Sequence, residues 1–155
     1  MSENRVGNGG REGHAPFVYR RRVRFGDSDA AQIIYVVRLF DYAMEAMEGW
    51  FSQIAGHDWY VINTQRDMGT PFVHTTMNVR SALKPGDYVN VAVFVVSAGR
   101  SSIRFAVVGR RDSGEVAFES EWVCAVTDTR NMQSMDIPTD LRRTIESYQA
   151  QCTAP

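Results

Sequence analysis

The chain has 155 residues, of which 44% are hydrophobic, and a formal net charge of −1. This length allows one domain with a proper core and is too short to predict two. The near-zero charge gives no global basic field for nucleic acid, and no apolar run approaches the roughly 18 residues of a membrane span. Two distant cysteines indicate neither a disulfide framework nor a metal site. We therefore expect a cytoplasmic protein that binds neither nucleic acid nor membrane.

The N-terminal residues 1–15 are rich in Gly, Asn, Glu and Arg and hold one branched apolar residue, Val6. Such a segment cannot offset its own ordering entropy, so we predict a disordered tail. A single domain follows over residues 16–150, and residues 151–155 form a C-terminal tail. The domain opens with residues 17–25, which alternate from Tyr19 onward in a strand pattern that Gly26 ends.

Residues 36–51 carry the only long helical pattern of the chain, with apolar side chains at 3.6-residue spacing. Polar side chains occupy the opposite stripe, at Arg38, Asp41, Glu45 and Glu48. Just ahead of this helix lie two carboxylates, Asp27 and Asp29. Unpaired backbone N–H groups and the positive end of the helix dipole collect at a helix start. A carboxylate beside such an anion-favouring position is a usable active-site arrangement.

After the helix, residues 59–62 can begin a short second helix that ends near Gly69. Four β-rich runs follow, at residues 72–83, 88–96, 102–110 and 115–127. The turn signals Lys84-Pro85-Gly86-Asp87 and Arg111-Asp112-Ser113-Gly114 predict two hairpins. Residues 127–136 are interpreted as a loop, and a short terminal helix opens at Pro138. The order predicts an α+β fold, an antiparallel sheet of about five strands with one long helix on its buried face.

Four segments carry a resemblance to a known family: Arg24-Phe25-Gly26-Asp27-Ser28-Asp29-Ala30, the long helix after it, Gly69-Thr70-Pro71, and Lys84-Pro85-Gly86-Asp87. They are similar to the hotdog-fold thioesterases of the 4-hydroxybenzoyl-CoA thioesterase type, over about residues 19–148. The resemblance implies a sheet wrapped around the long helix, a homodimer or homotetramer, and hydrolysis of acyl-CoA thioesters. It also implies that Asp29, the second aspartate of the signature, is the catalytic carboxylate.

The chemistry of this reaction fits the residues. Thioester hydrolysis needs an attacking carboxylate or carboxylate-activated water, and donors where the oxyanion develops. Asp29 can supply the first, and backbone N–H groups around Tyr35 and Val36 the second. We expect no metal and no separate cofactor, since coenzyme A is part of the substrate. Spacing alone leaves an alternative role for Asp29 as the helix N-cap, because Asp is favoured there ahead of an amphipathic run. Asp27 is interpreted as a turn residue whose side chain hydrogen-bonds the backbone.

The resemblance defines the reaction more closely than it defines the acyl group of the substrate. We expect that group to be small and possibly aromatic. In the aromatic-acyl branch of the family the aspartate is followed by Pro and Gly, whereas Ala30 and Gln32 stand here. Trp59 and Thr70 fall near family positions that line the acyl pocket, and core packing is the alternative for both. Because coenzyme A carries phosphates, arginines are candidate contacts to them, namely Arg66, Arg100, Arg104, Arg110, Arg111 and Arg130. Arg100 and Ser101 are favoured, because their Gly-Arg-Ser-Ser sequence can present side-chain and backbone donors together.

Other interpretations stay open. A non-catalytic hotdog module that binds acyl-CoA or a protein partner would keep the groove and tolerate loss of Asp29. A second branch of hotdog thioesterases places its carboxylate on the long helix, where Glu45 and Glu48 lie, although the polar stripe favours solvated or interface residues. A cone-shaped α+β binding or isomerase domain would usually begin with helices, so the order strand, long helix, strands counts against it.

Overall fold

The computed structural model describes residues 16–152 and residue 155. Its strands are β1 Phe17–Arg22, β2 Met68–Gly69, β3 Phe72–Val79, β4 Tyr88–Ala98, β5 Ser102–Arg111, β6 Val116–Ala125 and β7 Thr127–Asp128. Its α-helices are α1 Val36–Gln53, α2 Trp59–Gln65 and α3 Thr139–Gln151, and a single 3-10 turn occupies Phe25–Asp27. Among the described residues, no helix is both long and apolar enough to cross a membrane. The predicted tail, residues 1–15, lies outside the described residues.

The five long strands form one antiparallel sheet in the order β1-β4-β5-β6-β3, and α1 packs on its inner face. Alternate side chains of β4 point inward and are buried, at Val89, Val91, Val93 and Val95. Trp50 of α1 is fully buried and contacts the rings of Phe51, Phe105 and Tyr148 edge-on at 5.1–5.5 Å between centroids. The sheet therefore covers the apolar stripe of the long helix, which confirms the predicted hotdog layout.

One predicted pairing is wrong. The turn at residues 84–87 predicts a hairpin between β3 and β4, but β3 pairs with β6, and β4 lies between β1 and β5. The turn itself forms, since the Asp87 carboxylate accepts the Lys84 N–H at 2.9 Å. The Val23 N–H donates to the Asp87 carbonyl oxygen at 2.9 Å, so the chain enters the sheet beside β1. The residues of a turn determine the turn itself. Which strands then pair depends on how the sheet covers the core, and the turn residues do not encode this.

Two further features of the strands also differ from the prediction. Strand β3 ends at Val79, four residues early, because the N–H groups of Arg80 and Ser81 both donate to the Ala117 carbonyl oxygen and the ladder stops. Strands β2 and β7 pair with each other inside segments interpreted as a helix end and a loop. Strands of two residues show no periodicity, so no sequence pattern reveals them. The hairpin of β5 and β6 is confirmed.

Strands β5 and β6 approach closely at Gly109, which pairs with Phe118. A Cβ atom at position 109 would lie 2.2 Å from Cε1 of Phe118, whose ring is fully buried. We expect Gly109→Ala to lower the free energy of unfolding by about 2 kcal/mol, the scale of overpacking in a core. Urea denaturation measures this loss. Gly26→Ala is the control, since no atom lies within 4 Å of its Cβ position; equal losses in the two variants would contradict the prediction.

Candidate active site

The two aspartates lie in a short loop that closes on itself immediately before α1. At its base the Tyr35 N–H donates to the Asp27 carbonyl oxygen at 2.8 Å, and further along the Asp29 N–H donates to the Ile33 carbonyl oxygen at 3.0 Å. Residues 28 and 34 pair between these bonds as an antiparallel bridge. This small ladder holds the Asp29 backbone at a defined place relative to the helix start.

The Asp29 side chain is exposed and does not cap α1. The N-cap is Tyr35, with no side-chain hydrogen bond to the helix, and Asp29 Oδ1 accepts the Ala31 N–H at 2.8 Å within its own turn. The capping interpretation of Asp29 is therefore wrong, because the loop turns the chain between the carboxylate and the first helical residue. Among the described residues, Asp29 Oδ2 has no hydrogen-bond partner, so this oxygen is available to a ligand.

The tip of this loop holds a residue in the left-handed region of the backbone. Gln32 has a φ of +61°, and its N–H donates to the Asp29 carbonyl oxygen at 3.0 Å. Glycine adopts this left-handed region without strain, whereas a residue with a Cβ atom does not. Gln32 therefore forms this turn at a cost in backbone strain.

The start of α1 presents free backbone donors. Among the described residues, the N–H groups of Val36 and Val37 have no partner, and both residues are about half exposed. The positive end of the helix dipole lies at the same place. The Tyr35 N–H is occupied by the Asp27 carbonyl oxygen, so the expectation that Tyr35 offers a free donor is wrong. Val36, the other predicted donor, retains a free N–H.

Asp27 is a buried carboxylate, unlike Asp29. Its Oδ2 atom accepts the Arg24 N–H at 2.8 Å and the Tyr42 hydroxyl at 2.7 Å. Burial raises the pKa of Asp27, but the bonds from Tyr42 and Arg24 and the positive charge of Arg21 outweigh it, so the pKa lies below its usual range. Asp27 thus stays ionised and bonds backbone in the turn, which confirms its interpretation from the sequence.

The two carboxylates of the long helix are placed differently from Asp29. Glu45 accepts a hydrogen bond from Arg21 Nε at 2.9 Å, so its charge is paired. Glu48 is exposed on the polar stripe. Neither lies beside the free N–H groups of the helix start. Asp29 is the exposed carboxylate on the loop that leads directly into the unpaired donors of the helix start.

The structure brings Trp59 and Thr70 together in the wall of one apolar cavity of about 360 Å³. The ring of Phe72 approaches that of Trp59 edge-on at 6.0 Å. The remaining lining residues are Met44, Asn63, Gly69, Pro71, Thr127, Thr129 and Met132. None of these lining residues has an ionisable side chain. Met44 was not predicted as a site residue, because helical periodicity places it on the apolar stripe. Thr127 was not predicted either, because it begins a segment interpreted as a loop.

A second depression of about 290 Å³ runs along the polar side of α1, past Arg38, Asp41 and Glu45. It shares Met44 and Trp59 with the apolar cavity, so the two depressions adjoin. In a single chain, the predicted catalytic residues Asp29, Tyr35 and Val36 line neither of them. These three residues therefore lie outside the wall of the apolar cavity in one chain, although Asp27, at the base of the same loop, lines the second depression.

Arg100 and Ser101 lie in the turn between β4 and β5, away from the wall of the apolar cavity. The Arg100 side chain is exposed and forms an ion pair with Asp136. Arg142 of α3 reaches the same turn, since its Nη2 donates to the Gly99 carbonyl oxygen at 2.6 Å. Two guanidinium groups thus lie at one turn, and only one of them was predicted, because α3 is distant in sequence.

Fold and site together define a class: a hotdog domain with an exposed carboxylate loop beside an uncapped helix start. Residues 23–145 match the family described as the thioesterase-like superfamily. This match spans most of the chain, and the chain belongs to that superfamily.

Similar proteins agree with this assignment. A crystal structure described as thioesterase superfamily, from Jannaschia sp. CCS1, has a TM-score of 0.81 at 31% identity and covers 88% of this chain and 96% of its own. A Staphylococcus aureus protein solved in complex with CoA has a TM-score of 0.85 at 11% identity, over 94% of this chain and 91% of its own, a likeness of fold. The 1,4-dihydroxy-2-naphthoyl-CoA hydrolase of Crocosphaera subtropica is 32% identical over 73 residues, 47% of this chain. The chain spans 53% of that relative's length.

Proposed function

We propose that this protein is an acyl-CoA thioesterase, which hydrolyses the thioester to a free acid and CoA. The observation that carries the proposal is the exposed Asp29 carboxylate in the loop that leads directly into the unpaired N–H groups of Val36 and Val37. In this reaction Asp29 attacks the thioester carbonyl or activates the attacking water, and the helix start donates to the oxyanion. The C–S bond then breaks, and the sulfur takes a proton from solvent and leaves as the thiol of CoA. Attack by activated water gives the free acid directly, whereas attack by Asp29 gives an Asp29–acyl anhydride that water hydrolyses to the free acid and the Asp29 carboxylate. The proposed reaction uses no metal and no separate cofactor.

The acyl group in this proposal occupies the cavity lined by Trp59 and Thr70. Aromatic faces from Trp59 and Phe72 suit an aromatic ring, and the hydroxyl of Thr70 and the amide of Asn63 can bond a ring substituent. A wall without ionisable groups disfavours a charged acyl group, because the cavity would leave that charge unpaired. The name of the Crocosphaera subtropica relative, a hydrolase of a dihydroxynaphthoyl thioester, supports an aromatic acyl-CoA as the substrate class.

A panel of thioesters tests this function. We expect kcat/KM for benzoyl-CoA or 1,4-dihydroxy-2-naphthoyl-CoA to exceed that for acetyl-CoA and palmitoyl-CoA by at least about 10-fold, the scale on which an apolar pocket discriminates. Thiol release under steady-state conditions gives these constants. A preference for palmitoyl-CoA would contradict the aromatic assignment while leaving the thioesterase assignment intact.

We further propose that Arg100 and Ser101, with Arg142 at the same turn, contact the CoA phosphates. Guanidinium groups bind phosphate through paired N–H donors. A phosphate could displace Asp136 from Arg100, because their ion pair is largely exposed to water and such pairs are weak. We propose a cytoplasmic location, in keeping with two buried cysteines, Cys124 and Cys152, which form no disulfide among the described residues.

We propose that the active form is a homodimer or a dimer of dimers with the long helices near the two-fold axis. Apolar side chains are exposed around the carboxylate loop, where Phe25 is 87% accessible and Tyr35 is 51% accessible. Strand β3 is a free sheet edge that exposes Val73 and Val79, and soluble proteins cover such edges. A second copy would cover these surfaces. It could also bring the Asp29 loop of one chain to the apolar cavity of the other.

Light scattering at micromolar concentration should give a dimeric or tetrameric mass for the wild type. Val73→Glu should shift the mass towards the monomer and lower hydrolysis in parallel, because a buried unpaired charge at the interface is costly. Glu146→Lys, an exposed change on α3, is the control and should alter neither. A monomeric wild type that hydrolyses acyl-CoA would contradict the assembly.

A further inference from the structure

The Asp27 carboxylate is the centre of a buried polar cluster that the proposed chemistry does not use. Its Oδ2 atom accepts two hydrogen bonds, from the Arg24 N–H at 2.8 Å and from the Tyr42 hydroxyl at 2.7 Å. Arg21 Nη2 lies 3.9 Å from the same oxygen. The backbone of Asp27 is engaged as well, because its carbonyl oxygen accepts the Tyr35 N–H. One residue therefore bonds α1 at its N-cap and again at Tyr42.

Tyr42 is held in place for this bond. It is fully buried on the inner side of α1, and its ring packs against the Arg21 guanidinium, whose carbon lies 4.7 Å from the ring centroid. Arg21 is fixed in turn by its bond to Glu45. Burial and the hydrogen bond to Asp27 raise the pKa of the Tyr42 hydroxyl, so it remains a donor.

We propose that Tyr42 is a positioning residue for thioester hydrolysis: its hydroxyl holds Asp27, and Asp27 fixes the separation between the Asp29 carboxylate and the Val36 N–H. This inference rests on the proposed function and adds to it a residue distant from the reacting atoms. The path is short. Asp27 bonds Tyr35, the residue before Val36, and it lies two residues before Asp29 on one strand of the loop ladder.

A small displacement at this point has a large effect on rate. Attack on a thioester requires the nucleophile and the oxyanion donors to be in register within fractions of an ångström, and a misplacement of about 1 Å can cost about 10²-fold. Tyr42→Phe keeps the ring against Arg21 and removes the one donor that links α1 to the Asp27 carboxylate. The ladder keeps its backbone bonds, so the loop loosens without unfolding.

The kinetic test uses the whole protein and a thioester that the wild type hydrolyses. We expect Tyr42→Phe to lower kcat by about 10-fold with KM changed by less than about twofold. In an Asp29→Asn background Tyr42→Phe should lower kcat by less than about twofold, because the carboxylate that Tyr42 positions is gone. Tyr148→Phe is the matched control. It also removes a buried hydroxyl, which donates to the Val93 carbonyl oxygen at 2.6 Å and accepts the Phe17 N–H at 2.7 Å. Because these bonds lie away from the carboxylate loop, kcat should stay within about twofold.

A second readout needs no substrate. Amide hydrogen exchange of Asp29 and Tyr35 should accelerate by at least about 10-fold in Tyr42→Phe, while that of Val107 in the sheet stays unchanged. Equal kcat losses in Tyr42→Phe and Tyr148→Phe, an undiminished loss in the Asp29→Asn background, or unchanged exchange would each overturn the positioning role. A wild type that hydrolyses no acyl-CoA would instead contradict the proposed function. The exchange rates would still show whether Tyr42 holds the loop.

Discussion

Asp29→Asn should lower kcat for thioester hydrolysis by at least about 10²-fold, the usual scale for losing a positioned base or nucleophile. The fold should not change, because the Asn carbonyl oxygen can accept the Ala31 N–H as Asp29 Oδ1 does. KM should hardly change, since the lost charge acts on the attacking group and not on the CoA phosphates. Steady-state kinetics beside thermal denaturation separates the two effects.

Two other carboxylates serve as controls for this loss. Asp27→Asn should keep most of the rate, because an amide oxygen can accept the bonds from Arg24 and Tyr42. Glu45→Gln should also keep most of it, since Glu45 is paired with Arg21 and lies away from the helix start. If Asp29→Asn turns over normally while Glu45→Gln is inactive, the catalytic carboxylate is on the helix and Asp29 is not catalytic.

Val36→Pro should lower kcat by about 10²-fold, because it deletes one backbone donor to the oxyanion. The helix tolerates this change. Val36 is the first helical residue, where proline is favoured, and Tyr35 before it has φ −67° and ψ 125°, which suit a residue that precedes proline. Circular dichroism should therefore show an unchanged helix content while thiol release falls.

Val36→Ala is the comparison for this variant, since it shortens the side chain and keeps the N–H. Its kcat should fall by less than about fivefold, because the proposed hydrogen bond to the oxyanion comes from the backbone alone. Equal losses in Val36→Pro and Val36→Ala would show that the side chain matters and the amide does not. The helix start would then not be the oxyanion site.

The sequence predicted the elements that one periodic pattern determines. The long helix, expected over residues 36–51, runs from Val36 to Gln53, because a continuous apolar stripe leaves few alternatives. The contrast between Asp27 and Asp29 was also predictable in part, since the signature separates a turn residue from an exposed carboxylate. In each case the information lies within a few neighbouring residues.

Features that depend on distant contacts were not predictable. The bond from Tyr42 to Asp27 joins residues 15 apart, and the apolar pattern of α1 gives no sign that this hydroxyl has a partner. The capping role considered for Asp29 and the free N–H expected of Tyr35 were wrong for one reason. Both errors follow from a ladder within the loop: it occupies the Tyr35 N–H and leaves Tyr35 as the N-cap, while Asp29 Oδ1 accepts the Ala31 N–H within its own turn.

Free CoA released from 1,4-dihydroxy-2-naphthoyl-CoA under multiple-turnover conditions is the most direct test of the proposed activity. The wild type should release many equivalents of CoA per chain, with an equal amount of the free acid, and Asp29→Asn should release CoA at a rate at least about 10²-fold lower. Acyl-CoA that binds the wild type but is recovered intact, with no release above background, would contradict the thioesterase assignment and identify a non-catalytic binding module.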